Sequence, residues 1–310
     1  MWTIEELNQY VIDSEFSLGS GDIAKACLMS SWGDPHTVYG RYHRGYTIEK
    51  NEHIVRGESL ESGLGEMYAS KFGKIINKGQ PTIHNVIKWA RATPDFVHKD
   101  GSVNVEVKCP SGLAFENYKN NTEYYAQCQW QMFVTDIPLT HFVVFNGMTG
   151  TVELLHEWKA DKDVQLHLLK TAYNFMKNHL VPGIEPPITG SKGCSEAILH
   201  KFPRSRQQEL LEANGEQEKW IEAYLQAKQT VVDAQAKLDL ASNHIKEAIG
   251  SGAGLLSDYG KVFWKSANRN TTNWKALAKE LDVSEDTIAR FTTQKEYRTF
   301  RPFLKGDYRG

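Results

Sequence analysis

The chain has 310 residues, 40% of them hydrophobic, and can therefore bury a substantial core in one large domain or two. Its 36 basic and 38 acidic side chains give a formal net charge of -2, which excludes a protein that coats nucleic acid through its overall charge. No apolar run approaches 18 residues and no secretory signal is seen at the start, so we expect no membrane partner and a cytoplasmic location.

The cysteines favour a reduced setting. They are scattered and form no Cys-x-x-Cys pair, which argues against a zinc ribbon or an iron–sulfur cluster: Cys27, Cys109, Cys128 and Cys194. We expect most of them to be small buried apolar groups.

The first fifty residues suggest two helices and a loop. Residues 3–12 resemble a short helix capped by Thr3, and a glycine turn at 18–24 opens a second helix that runs to about Met29. Such a turn either holds a phosphate on its backbone N–H groups or simply starts a helix. Residues 32–50, rich in Gly, Tyr, Arg and His, form either a basic and aromatic DNA surface or an exposed loop.

A helix and a strand should come next. Leu60, Leu64, Tyr68 and Phe72 recur every four residues, which predicts an amphipathic helix over 58–73. Residues 82–89 are typical of a strand.

Residues 95–108 hold the main candidate site. Valines alternate with polar residues over 103–108, which predicts a half-buried strand with Glu106 and Lys108 on one face. The turn residues at 99–102 predict a hairpin that brings Asp95 beside Glu106. Two adjacent carboxylates repel each other unless a cation lies between them, and hard divalent ions prefer oxygen ligands. Alone, however, Glu-x-Lys is typical of an ordinary surface ion pair.

The next segments predict a helix, two strands and a second helix. Residues 122–134 predict a helix capped by Asn121 or Thr122, with Gln127 and Gln131 beside its buried face. Two strands at 141–145 and 152–156 and an amphipathic helix at 161–180 follow.

The last third has a different character. Proline and glycine predict a linker at 183–200 between a core of residues 1–182 and an extension of residues 201–310. The extension should hold a long heptad helix over 220–248, a hairpin at 255–265, a helix at 272–281 and a basic tail.

Four segments in this order resemble the phage-type alkaline exonucleases, the lambda exonuclease and YqaJ-like viral recombinase family of PD-(D/E)xK nucleases. They are residues 57–61, Thr93-Pro94-Asp95, residues 105–110 and residues 124–132. The resemblance implies an α/β fold: a restriction-endonuclease-like core, with a central mixed sheet flanked by helices, and a mostly α-helical C-terminal extension. It spans roughly residues 15–180.

The resemblance also implies roles for the site. Asp95, Glu106 and the carbonyl of Val107 are expected to bind Mg²⁺ or Mn²⁺, and Lys108 to orient the attacking water or stabilise the transition state. Glu61 would assist a second ion, with Glu58 as the alternative, and Gln127 would position the lysine or a metal-bound water.

Candidate DNA contacts are more dispersed. In the family a serine just before an aspartate holds a 5′ phosphate; here Gly21 precedes Asp22, the serine is Ser20, and Arg41 or Arg44 could replace the upstream arginine. We also expect Tyr124 and Trp130 near the DNA, and Arg298 and Arg301 of the tail to contact DNA or support assembly.

The implied function is a metal-dependent 5′→3′ exonuclease on double-stranded DNA ends in phage recombination, in the bacterial host cytoplasm. The resemblance also implies that copies of the chain assemble into a homo-oligomeric ring and that a single-strand annealing protein is a partner. The alternatives are a structure- or sequence-specific endonuclease of a defence system, a catalytically silent DNA-binding module, and a helical scaffold.

Overall fold

The computed structural model describes residues 16–47, 50–205, 210–268 and 271–293. The chain divides into two units, Met1–Phe202 and Pro203–Gly310. The helix expected at residues 3–12 lies outside the described residues.

A five-stranded mixed sheet forms the centre of the first unit, in the order β1-β4-β5-β6-β7. Its strands are β1 (Ile76–Lys78), β4 (Phe96–His98), β5 (Asn104–Lys108), β6 (Leu139–Asn146) and β7 (Thr151–Lys159). Only β5 and β6 pair in parallel, whereas the other neighbours are antiparallel. The two-stranded sheet beside it joins β2 (Thr82–Ile83) to β3 (Arg91–Ala92).

Helices cover both faces of this sheet, which confirms the predicted fold class. The helices of the first unit are α1 (Ser20–Ala26), α2 (Pro35–His43), α3 (Glu52–Phe72), α4 (Thr122–Thr135), α5 (Lys162–Phe175) and α6 (Lys192–Lys201). Leu64 and Tyr68 of α3 pack on the valines of β5, while Cys128 of α4 belongs to a cluster with Phe142 of β6. Asn121 caps α4 through its side chain.

The central strand β5 is more deeply buried than predicted. Residues 104–107 are all buried, because α3 and α4 cover opposite faces of the strand. The expected half-buried strand is therefore wrong in its exposure, although the alternation of faces is correct.

Two further local predictions need correction. Residues 32–50, for which an exposed loop was one of the two alternatives, contain α2, which begins at Pro35 and is capped by a reciprocal Asp34–Thr37 capping box. The strand expected over 82–89 is only Thr82–Ile83, because the chain turns at once to pair with β3.

The segment 183–200, expected to be a linker, is structured at its end. Its last residues belong to α6, which packs against α2 within the first unit. Gly193 and Cys194 are buried there.

The second unit is built on the 35-residue helix α7 (Gly215–Ile249), which ends at Gly250 with φ 55°. The hairpin of β8 (Gly254–Ser257) and β9 (Gly260–Phe263) follows, then α8 (Trp274–Glu280) and α9 (Glu285–Arg290). None of the helices that the structure describes combines the length and apolar character needed to cross a lipid bilayer.

Candidate active site

The hairpin of β4 and β5 brings the two predicted carboxylates together. Phe96 pairs with Val105, so Asp95 and Glu106 are neighbours across the hairpin. Asp95 Oδ2 accepts a hydrogen bond of 2.8 Å from the backbone N–H of Val107. The turn of the hairpin thus brings together two acidic residues that are not adjacent in sequence.

Glu106 is the most constrained side chain of the site and is only 1% exposed. Its Oε1 accepts hydrogen bonds from Lys108 Nζ and, at 2.7 Å, from Gln127 Nε2. Its Oε2 accepts one from Gln131 Nε2, also at 2.7 Å. Three donors therefore fix the carboxylate in one orientation.

Gln131 is a site residue that the sequence interpretation did not select. It lies one helical turn after Gln127 on α4, and both amides point at the same carboxylate. The sequence feature that could have identified Gln131 was its spacing of four residues from Gln127, which puts the two side chains on one helix face. Without the position of Glu106 over that face, Gln131 was indistinguishable from a surface glutamine.

Burial and charge perturb the acid–base properties of the cluster. Burial, together with the negative charge of Glu106, raises the pKa of Asp95 to about 8, although Lys108 and the Val107 N–H act against this. Burial alone would lower the pKa of Lys108, but the charges of Glu106 and Asp95 raise it above its ordinary value. Lys108 therefore stays protonated at neutral pH.

Asp95 and Glu106 suit a hard divalent cation that takes only part of its coordination shell from the protein. Within the described residues, no three His, Cys, Asp or Glu side chains form a group that could hold a metal ion. Mg²⁺ commonly binds one or two carboxylates and completes its shell with water and phosphate oxygens. Burial, and then the negative charge of Glu106, disfavour the charged form of Asp95, and a bound cation would offset both effects.

Glu61 lies closer to this cluster than its alternative, Glu58. Glu61 projects from α3 and pairs with Lys78 of β1. After burial and Glu106, its charge is a further cause that raises the pKa of Asp95. Glu58 is exposed and pairs with Lys50 at 2.6 Å. The structure therefore favours Glu61 as the third acidic residue.

Aromatic rings border the lysine. Lys108 Nζ lies 5.2 Å from the centroid of the Tyr124 ring, and Tyr124 stacks on Tyr118 with centroids 5.1 Å apart. Burial, and then Tyr118, raise the pKa of Tyr124, so its hydroxyl remains a donor.

Trp130 does not fit the predicted DNA contact. Its side chain has no exposed surface, and its indole Nε1 donates to the Arg91 carbonyl at 3.1 Å. It stacks on Trp89 within the core of the first unit. We therefore correct its role to packing.

Of the predicted phosphate-binding side chains, the serine is buried and the two arginines have protein partners. Ser20 is buried at the start of α1. Arg41 donates to both carboxylate oxygens of Asp22, and Arg44 contacts Glu185 Oε1 at 2.8 Å. The tail residues Arg298 and Arg301 lie outside the described part of the chain.

Residues 13–138 match the YqaJ-like viral recombinase domain. No curated protein is significantly similar in sequence to this chain. The match contains every predicted site residue except those of the tail.

Some of the solved structures to which this chain is similar are exonucleases. LHK-Exo, an alkaline exonuclease from Laribacter hongkongensis, is 20% identical; the similarity covers 57% of this chain and 94% of that chain, with a TM-score of 0.47. Its complex with dAMP is also 20% identical, covering 55% and 90% with a TM-score of 0.48. A phage related exonuclease from Haemophilus somnus 129PT is 13% identical, covering 53% and 94% with a TM-score of 0.43.

The predicted resemblance is thus confirmed: residues 13–138 of this chain resemble the YqaJ-like viral recombinase family.

Proposed function

We propose that this protein is a metal-dependent deoxyribonuclease that degrades double-stranded DNA from its ends, with 5′→3′ polarity. The observation that carries the proposal is the buried set of Asp95, Glu106 and Lys108, with two glutamine amides holding Glu106. A binding module has no need of two carboxylates in each other's field, because phosphates are bound by cations.

The proposed cofactor is Mg²⁺ or Mn²⁺, held by Asp95, Glu106 and the carbonyl of Val107, with Glu61 near a second ion. When bound, such an ion polarises the scissile phosphate and lowers the pKa of the attacking water. The protein's own contribution is orientation and charge. Gln127 and Gln131 hold the Glu106 carboxylate, and the Lys108 ammonium stabilises negative charge that develops on the phosphate.

The remaining parts of the proposal come from the family resemblance. They are a homo-oligomeric ring around duplex DNA, a single-strand annealing protein as partner, and the bacterial host cytoplasm as location. The 5′→3′ polarity also comes from the resemblance alone. Arg41, the candidate for binding a 5′ phosphate, is paired with Asp22 instead.

The proposal is tested by digestion of a linear duplex and of the same DNA as a covalently closed circle. An exonuclease with Mg²⁺ consumes the linear form and spares the circle, whereas an endonuclease of a defence system nicks the circle. Linear substrates labelled at either end, with and without a 5′ phosphate, then report polarity. Early release of the 5′ label supports the proposed direction, and early release of the 3′ label contradicts it.

A further inference from the structure

The helix α7 carries an apolar stripe that the described part of the second unit leaves largely exposed. Trp220, Val231 and Leu238 are 71%, 67% and 60% exposed, respectively. Along the whole helix only Ile249 is buried. Because most helical stability in proteins comes from packing of an apolar face, a 35-residue helix with such a stripe calls for a partner.

The stripe alternates between large and small side chains. Its members recur at spacings of four and three residues: Trp220, Tyr224, Ala227, Val231, Ala234, Leu238, Ala241, Ile245 and Ala248. This spacing is typical of the seam of a coiled coil, in which each side chain packs between residues of the facing helix. After Trp220, every large residue is followed by an alanine.

This alternation favours an antiparallel pairing of two copies. In a parallel, in-register pair, large residues would face large ones and alanines would face alanines, which leaves voids at every second layer. In an antiparallel pair, Val231 of one copy lies opposite Ala234 of the other, and from residue 224 to residue 241 each large side chain meets an alanine. The same helix thus supplies both halves of a complementary surface.

The complete register follows from that central contact. It opposes Trp220 to Ile245, Tyr224 to Ala241, Val231 to Ala234, and Leu238 to Ala227 of the second copy. The overlap extends over residues 220–245, or about 39 Å at the rise of an α-helix.

Charge is compatible with this pairing and unsuited to a nucleic-acid occupant. In the proposed register, Lys228 lies beside Gln235 of the second copy and Lys237 beside Thr230, so the two lysines do not face each other. The apolar stripe itself has no row of cations that could neutralise phosphates.

We propose that α7 binds α7 of a second copy of this chain as an antiparallel pair. The pairing goes beyond the proposed nuclease function, because it uses none of the residues of the candidate active site. It joins two chains, or two rings of chains, through their second units.

The first test is the mass of the full chain in solution by light scattering. Replacing Val231 and Leu238 together by Glu is expected to halve the mass. The matched control replaces Val232 and Leu240 by Glu, since these are 52% and 61% exposed but lie off the stripe, and should keep the wild-type mass. Equal masses for all three proteins, or a mass unchanged by the stripe variant while DNA binding falls, would overturn the proposal.

The second test is orientation by disulfide cross-linking. Chains with Ala227→Cys and chains with Leu238→Cys are expected to cross-link when mixed, above the wild-type background, and neither variant to cross-link alone. Efficient cross-linking of Ala227→Cys alone would indicate a parallel pair and contradict the register. DNA digestion, measured on the same samples, reports the proposed nuclease function separately, because mass and cross-linking do not depend on it.

Discussion

At the residue scale, the hydrogen bonds around Glu106 explain how a carboxylate can be buried at the centre of the site. A buried charge without partners costs several kcal/mol, whereas Lys108, Gln127 and Gln131 satisfy this one from three directions. The arrangement also fixes where an ion bound by Glu106 and Asp95 would lie.

Gln131→Leu should therefore impair both stability and activity. Removing the amide leaves Glu106 Oε2 without its donor, at a cost of about 1–3 kcal/mol. The rate of DNA hydrolysis should fall roughly 10- to 100-fold, the usual effect of losing a group that orients a metal ligand. Gln165→Leu is the control, because Gln165 is equally buried but contacts Gln129. A wild-type rate of DNA hydrolysis by Gln131→Leu would argue against the orienting role.

A second buried network predicts acid sensitivity. The hydroxyl of Tyr68 lies 2.8 Å from His98 Nε2 and 2.5 Å from His141 Nδ1. Burial lowers the pKa of both histidines, and for His98 the proximity of His141 lowers it further, while Glu157 partly offsets the shift of His141. The unfolded chain thus binds protons more readily than the folded one, so stability falls as the pH drops below about 6.5.

Denaturant unfolding at pH 7.5 and 5.5 measures this effect. Each histidine contributes up to about 1.4 kcal/mol per pH unit between its folded and unfolded pKa values. The pH dependence should shrink in the double variant His98→Gln, His141→Gln and persist in His167→Gln, whose side chain is exposed. An unchanged dependence in the double variant would assign it to other groups.

At the element scale, the close approach of β1 to the segment before β4 positions Asp95. Gly79 N–H donates to the Asp95 carbonyl at 3.0 Å, and a Cβ at Gly79 would collide with the carbonyl oxygen of Pro94. A side chain there must displace the backbone that carries the carboxylate.

Gly79→Ala should therefore cost about 1–3 kcal/mol of folding free energy and weaken metal-dependent hydrolysis. The control is Gly63→Ala on α3, where an added Cβ meets nothing within 4 Å. That change should stabilise the helix by about 0.5–1 kcal/mol. Equal stability of the two variants would show that the approach of the two backbones is not tight.

Local patterns predicted the elements that hold the candidate site. The period of two over 103–108 put Glu106 and Lys108 on one face, and the turn residues closed the hairpin on Asp95. The features that these local patterns did not predict depend on contacts between segments that are far apart in sequence. Trp130 is in the core because α4 lies over Trp89, which a single segment does not reveal. The start of α2 was visible locally in Pro35 and in the Asp34–Thr37 capping box, whereas its packing against α6 was not.

At the scale of the whole molecule, the two units differ in how much hydrophobic core their described residues form. The first has three clusters of buried side chains, whereas the described helices and hairpin of the second bury almost no large apolar residue. A domain with so little core usually depends on a partner.

Deleting residues 203–310 should leave the first unit folded and the metal affinity of its site unchanged. The truncated chain should lose DNA affinity or assembly, because the helix α7 and the basic tail are removed. Calorimetric titration with Mn²⁺ measures the first effect, and light scattering and DNA binding the second. A fragment with the full DNA affinity and the oligomeric state of the whole chain would contradict this division of roles.

The most direct test of the central claim is Mg²⁺-dependent release of nucleotides from a linear duplex by site and control variants. Glu106→Gln and Lys108→Met should each reduce the rate by roughly 100-fold or more. The matched controls are Glu116→Gln and Lys119→Met, an exposed ion pair of 2.8 Å, and should retain the wild-type rate. Mg²⁺-dependent digestion at the wild-type rate by both site variants would contradict the assignment of Asp95, Glu106 and Lys108 as the catalytic centre.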